Sequence, residues 1–229
     1  MTTALVDGHR PTSTKQDAVR LLLLIHTASD PVPDLRPVEA PTDAVAVLRS
    51  QVLLQKLDFW LRNPDYLANE LLTRYEIEGD PSDLDLAGQI LASDEPEVRR
   101  YPMLRYLFGA YEPLDDALAM LASPRLVLKR RTRQGPRPPL DYYLTQRGRD
   151  VALAIVTDVP ELAYYVERAA LVADLAGGRR GSALRDIQYL QQEYAETALG
   201  DRIGGIAARA RDRLTALRAA GAPHAVGRP

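Results

Sequence analysis

A mainly α-helical chain carrying one small β-hairpin is the fold class this sequence predicts, and three observations lead there. Apolar residues recur at spacings of three and four over long stretches, the period of a helix with one buried face. Two short segments, 126–131 and 140–144, break that pattern and flank a loop with one glycine and three prolines. The 229 residues are 46% hydrophobic and contain no cysteine, so a packed core and not a disulfide scaffold must hold them.

The elements follow in chain order. Residues 1–14 lack periodicity and read as a loose tail, and residues 16–26 carry an apolar helical stretch. Pro31, Pro33, Pro37 and Pro41 keep 30–41 from being helical, which leaves a linker or extended arm. Thr42 or Asp43 can cap a helix to about Arg62, with Val45, Leu48, Val52, Leu53, Leu57, Trp60 and Leu61 on its apolar face. Asn63-Pro64 restarts the chain as N-cap and first helical residue, and Tyr66, Leu67, Leu71 and Leu72 supply the next face. Ser82 opens a short helix that ends before Pro96. Residues 102–111 read as a helix or turn packing Met103, Leu104, Leu107 and Phe108.

Pro113 starts a helix to about Ala122, and Ser123-Pro124 stops it. The hairpin comes next, and Thr145 caps the helix after it. Residues 159–220 read as two or three further helices, the last over 202–220 and interrupted at Gly204-Gly205. The organisation expected is a tail, first helix and Pro-rich arm at 1–41, a helical and winged domain at 42–157, a C-terminal helical segment at 158–220 and a flexible tail at 221–229. Helix, strand, Gly/Pro loop, strand and capped helix, in that order, end a winged helix-turn-helix whose hairpin loop is the wing. Tyr143-Leu144-Thr145 with Gly148 three positions on sharpens that reading; a generic small α+β hairpin is the plainer one.

Charge is unevenly distributed. Residues 76–97 hold eight acids and no base, whereas 125–149 hold eight bases against Asp141 alone. The second block is +7 in a chain of net charge −2. Concentrated positive charge suits a phosphate backbone or an acidic protein surface, although a charge run is more often a solvated face. Lys129, Arg130, Arg131, Arg133, Arg137 and Arg147 are the candidate contacts to either partner. Tyr142 and Tyr143 lie beside them, where one can stack on a base or contact a backbone; cross-strand packing of one and a surface position for the other is the plainer reading.

The helix at 113–122 is the one that would enter a DNA groove. It begins with Glu112, Asp115 and Asp116 and carries no base. Those carboxylates would face phosphates on both sides, which argues against sequence reading and for a protein partner.

Catalytic patterns are missing. His9, His26 and His224 form no HxxxH or HExxH pattern, and no GxSxG or kinase signature occurs. The Gly-rich run 177–182 lacks the spacing and the preceding strand of a phosphate loop. Paired acids such as Asp83 with Asp85 read as first-turn helix residues. The expectation is a non-enzymatic protein with no cofactor and no metal. No apolar run, 21–25 included, exceeds six residues, too short to cross a bilayer, so a cytoplasmic protein without membrane contact is expected.

Four segments resemble a known family. Residues 54–72 (LQKLDFWLRNPDYLANELL) and 97–109 (EVRRYPMLRYLFG) are similar to blocks of the small winged-helix middle subunit of bacterial three-component ABC/SMC-type ATPase systems. Residues 119–127 and 143–152 (YLTQRGRDVA) resemble the helix–wing–helix end of that subunit, so the likeness covers roughly 45–155. At 108–112 the family's Pro-Trp-Asp is absent, which puts the contact made there in doubt. The resemblance implies an accessory subunit beside a large coiled-coil, SMC-like ATPase in bacterial defence, a homodimer, and duplex DNA as a further partner. Within the matching blocks it points to Phe59, Trp60, Asp65, Tyr66, Arg100, Tyr101 and Arg105 as a partner interface. A winged-helix transcriptional regulator is the alternative.

Overall fold

The computed structural model describes residues 13–94, 103–106, 109–111, 113–132, 138–178 and 196–221. The protein is mainly helical with a small four-stranded antiparallel sheet. It divides into two compact units that cut across the linear segments expected above: Met1–Asp58 with Glu112–Leu184, and Phe59–Tyr111 with Arg185–Pro229. The chain therefore leaves the sheet-bearing unit within a helix and returns to it some fifty residues later.

The first unit is built around α1 (Thr14–Ala28). Its start is a reciprocal cap: Ser13 Oγ accepts from Gln16 N–H, and Gln16 Oε1 accepts from Ser13 N–H at 2.8 Å. Leu21, Leu22, Leu23, Leu24 and Ile25 are all buried, as expected of a helix covered on several sides. Arg20 is buried among them, donating through Nε to Asp58 at 2.8 Å and through Nη1 to Asp17. Burial alone would lower the Arg20 pKa, but Asp58 and Asp17 outweigh it and hold the guanidinium charged.

The sheet has the order β1 (Asp30–Pro31), β2 (Ala44–Leu48), β6 (Leu140–Thr145) and β5 (Val127–Arg131). Here the structure corrects the helix expected to start at Thr42 or Asp43. Residues 44–48 form a strand, with Val47 opposite Tyr143 and Leu48 opposite Tyr142. The helix proper is α2 (Gln51–Arg62). Ser50 separates the two at φ 72°, its Oγ accepting from Leu53 N–H at 3.2 Å while its own N–H donates to Asp141 Oδ1 at 3.0 Å. The Pro-rich arm is no free linker: Asp30 and Pro31 pair with Val47 and Ala46, and Val32 packs on a cluster of Ala40, Ala44, Val47 and Tyr143.

Following the sheet's own hairpin, α6 (Gln146–Asp158) begins where expected. Thr145 Oγ1 accepts from Gly148 N–H at 3.0 Å and donates to the Arg125 carbonyl at 2.7 Å. Gly148 lies so near the Leu126 carbonyl that a Cβ would stand 2.2 Å from it. A short 3-10 turn (Pro160–Leu162) leads into α7 (Ala163–Ala176), which ends at Gly177 with φ 55°. α5 (Asp115–Ala122), α6, α7 and β2 all pack on α1.

The second unit contains α3 (Pro64–Glu78), α4 (Pro81–Ala92), a hairpin of β3 (Leu104–Tyr106) with β4 (Gly109–Tyr111), and α8 (Ala207–Ala220). The β3–β4 pairing corrects the helix or turn read at 102–111. Asn63 precedes α3 as expected but makes no side-chain cap; its Nδ2 donates to the Phe59 carbonyl at 2.8 Å. Asp80, not Ser82, caps α4, accepting from Ser82 N–H at 2.9 Å. Gly204 and Gly205 interrupt the predicted 202–220 helix, which starts only at Ala207. The helix expected after Ser182 lies outside the described residues.

Candidate partner interface

α5 lies where the sequence places it but starts at Asp115, two residues after Pro113, which stands outside the helix and does not open it. Ala117, Leu118 and Leu121 are buried against the first unit, which leaves Asp115, Asp116, Ala119 and Met120 exposed. That outward face is acidic at its start and small or apolar beyond it. No basic side chain stands on it.

β5 follows α5, and its bases do not form one continuous patch. Lys129 Nζ meets Asp115 Oδ1 at 2.8 Å, so the first base of the hairpin is neutralised by the helix before it. Arg130 is exposed and donates through Nη1 to the Lys129 carbonyl at 2.9 Å; Arg131, also exposed, reaches only the Pro138 carbonyl at 3.4 Å. Neither has an acidic partner among the described residues. Arg147 is exposed as well, but it follows Thr145, whereas Arg131 pairs with Leu140 at the opposite end of β6. Five strand residues separate those ends by roughly 17 Å. Arg133 and Arg137 lie outside the described residues.

Neither tyrosine beside the hairpin is available to a base. Tyr142 and Tyr143 are both buried, on opposite faces of the central strand, so the expectation that one is surface-exposed is corrected. Asp141 is buried too, and burial raises its pKa while the Ser50 N–H offsets part of the rise.

Four of the seven residues assigned to a partner interface by resemblance fall in the interior. Phe59, Trp60, Asp65 and Tyr66 are each at most 2% exposed. Phe59 and Tyr66 pack edge to face at 5.0 Å between ring centres. Asp65 Oδ2 accepts from Ile206 N–H at 2.7 Å, and Tyr66 OH donates to the Gly204 carbonyl at 2.9 Å. This pair holds the turn that leads into α8, which is structural work inside the second unit. These side chains are large and amphipathic, hence equally suited to a core or an interface, and composition does not separate the two. Arg100 and Tyr101 lie outside the described residues; Arg105 sits on β3.

Part of the acidic block is used within its own unit. Arg74 donates to both oxygens of Asp83 at 2.7 and 2.6 Å. Arg213 on α8 donates to the Asn69 carbonyl, Asn69 Oδ1, Thr73 Oγ1 and Glu76 Oε2. The sequence carried no sign of this clamp beyond the arginine content of 202–218.

No group of three or more His, Cys, Asp or Glu residues that could hold a metal ion occurs among the described residues. No described helix is long and apolar enough to cross a membrane. A half-open cavity of about 290 Å³ is lined by Lys15, Gln16, Val19, Arg20, Leu162 and Tyr165. Its one buried charge, Arg20, is already committed to Asp17 and Asp58. Comparison with family models, with characterised proteins and with solved structures finds no match.

Proposed function

We propose that this chain is a non-enzymatic winged-helix accessory subunit that docks on a large SMC-like coiled-coil ATPase in a bacterial defence complex. The exposed face of α5, acidic at Asp115 and Asp116 and otherwise small or apolar, is the observation that carries the reading. A groove of duplex DNA places phosphates on both sides of an inserted helix, and this helix would meet them with carboxylates. A protein surface with lysines or arginines around an apolar centre suits the same face.

Strand order supports the winged-helix part. Helix, strand, helix, hairpin, with the early strand β2 beside the last strand β6 and β5 outside it, is how a winged helix is laid out. One feature departs from a DNA reader. Between the end of α2 at Arg62 and the start of α5 at Asp115 the chain passes through the second unit up to Tyr111, so no tight turn joins the two helices. The identity of the ATPase partner rests on the resemblance of residues 54–72, 97–109, 119–127 and 143–152. A homodimer belongs to the same expectation.

Co-expression with a coiled-coil ATPase from a neighbouring gene, followed by co-purification, tests the proposal, which predicts such a neighbour. A stable complex of the two is expected; separate elution of two well-folded proteins rejects it. Non-specific duplex contact by Arg130 and Arg131 is an added role, favoured by their exposure without an acidic partner among the described residues. Selection from random duplexes is expected to return no motif, and a recurrent site would favour the regulator instead.

A further inference from the structure

Among the described residues β5 ends the sheet, and its hydrogen-bonding register says which of its main-chain groups no described strand uses. Thr145 N–H donates to the Leu126 carbonyl and Thr132 N–H to the Pro139 carbonyl. Pairing across an antiparallel ladder alternates, so Leu128 and Arg130 bond to β6, while Val127, Lys129 and Arg131 turn their N–H and C=O away from it. Val127 is buried, which leaves Lys129 and Arg131 as the accessible part of the edge. Among the described residues the Lys129 carbonyl is met there by the guanidinium of its own neighbour, Arg130, and by no strand. An edge of this kind is a template for another strand.

Its charge chooses the occupant. Lys129, Arg130 and Arg131 follow one another along the edge, so two copies of β5 side by side would bring like charges together. Self-pairing is thereby opposed and an acidic strand is favoured. We propose that the free edge of β5 takes an extended acidic segment of a partner protein as a fifth strand, its main chain pairing at Lys129 and Arg131 and its carboxylates meeting Arg130 and Arg131. The inference rests on the reading of this chain as a protein-docking subunit and names the chemistry of the segment it holds. Main-chain pairing supplies the register, and the arginines supply the selection.

A synthetic peptide built on Glu-Glu pairs between valines, which presents carboxylates on both faces of a strand as Arg130 and Arg131 require, tests it, alongside the same peptide with alternate backbone nitrogens methylated. With the full chain, the first peptide is expected to slow solvent exchange at the Lys129 and Arg131 amides. The methylated peptide is expected to bind at least about tenfold more weakly, since its carboxylates remain but its ladder does not. Arg131→Pro removes an N–H that β6 does not use, so the fold is retained and binding is lost. Arg131→Gln, which keeps that N–H, weakens binding only severalfold. Equal binding of the two peptides, equal effects of Arg131→Pro and Arg131→Gln, or displacement of the peptide by duplex DNA without any exchange protection would each overturn the proposal. So would no binding at all; self-association on neutralising Arg130 and Arg131 would then assign those charges to keeping copies apart. An ATPase complex that survives Arg131→Pro removes the edge and leaves the subunit reading intact. Peptide pairing without any ATPase complex does the reverse.

Discussion

Lys129 on β5 and Asp115 at the first turn of α5 form an ion pair at 2.8 Å, so the base nearest the helix is spent on the helix's own acid. The pair joins the only acidic part of the α5 face to the strand whose edge is spare. It also reduces the positive charge that the hairpin presents to a duplex.

Because both partners are solvent-exposed, their coupling is small. A double-mutant cycle of Lys129→Ala and Asp115→Ala is expected to give less than about 1 kcal/mol, vanishing at high salt. Urea unfolding of the four proteins measures it. Asp115→Asn with Asp116→Asn is expected to raise non-specific duplex affinity severalfold at low salt, read by fluorescence anisotropy. Unchanged affinity would show that the acids of α5 do not exclude DNA.

The start of α6 depends on two side chains that act together. Thr145→Ala removes a cap and a bond to the Arg125 carbonyl, and a loss of about 1–2 kcal/mol is expected. Gly148→Ala forces a Cβ against the Leu126 carbonyl, with an expected cost of about 1–3 kcal/mol or more. Thermal midpoints measure both. A neutral Gly148→Ala would mean that the helix shifts freely against the strand.

In the second unit, Asp65 and Tyr66 hold the approach to α8. Asp65→Ala leaves the buried Ile206 N–H without its acceptor, a loss of about 1–3 kcal/mol, while Tyr66→Phe is expected to cost about 0.5–1.5 kcal/mol. Faster exchange of the Ile206 amide in Asp65→Ala identifies the cause. Trp60→Ala, at a residue only 2% exposed, is expected to cost about 3–5 kcal/mol. A near-neutral Trp60→Ala would contradict its place in the core.

His26 predicts the pH dependence. Burial first, then the charge of Arg149, lowers its pKa below the ordinary 6.5. The unfolded chain therefore takes up the proton before the folded one does, and stability falls as pH drops from about 6.5 through the lowered folded value. Unfolding titrations from neutral to mildly acid pH are expected to show this slope in the wild type and a shallower one in His26→Gln. Identical slopes would assign the dependence to other groups.

Local signals read well where the chain's own neighbours complete them. The cap at Thr145, the helix after Pro113 and the hairpin each need partners within about twenty residues, and each is present. The strand at 44–48 was not legible in the same way. Its Val45 and Leu48, with Val52 beyond it, fit a helical face, and a short apolar run does not distinguish strand from helix. What decides it is β6, nearly a hundred residues on, together with the Asp141 carboxylate that accepts from Ser50 N–H. β3 and β4 have three residues each, too few to show a period.

By itself the sequence determined a mainly helical chain, the hairpin with its cap, and an acidic start to α5, because periodicity, capping and charge are properties of neighbouring residues. Only tertiary structure decided that Phe59, Trp60, Asp65, Tyr66, Tyr142 and Tyr143 are interior, that Lys129 is neutralised by Asp115, and that no described strand pairs with the outer edge of β5. Burial and pairing depend on what the rest of the chain brings alongside, and a residue's type does not record its neighbours in space.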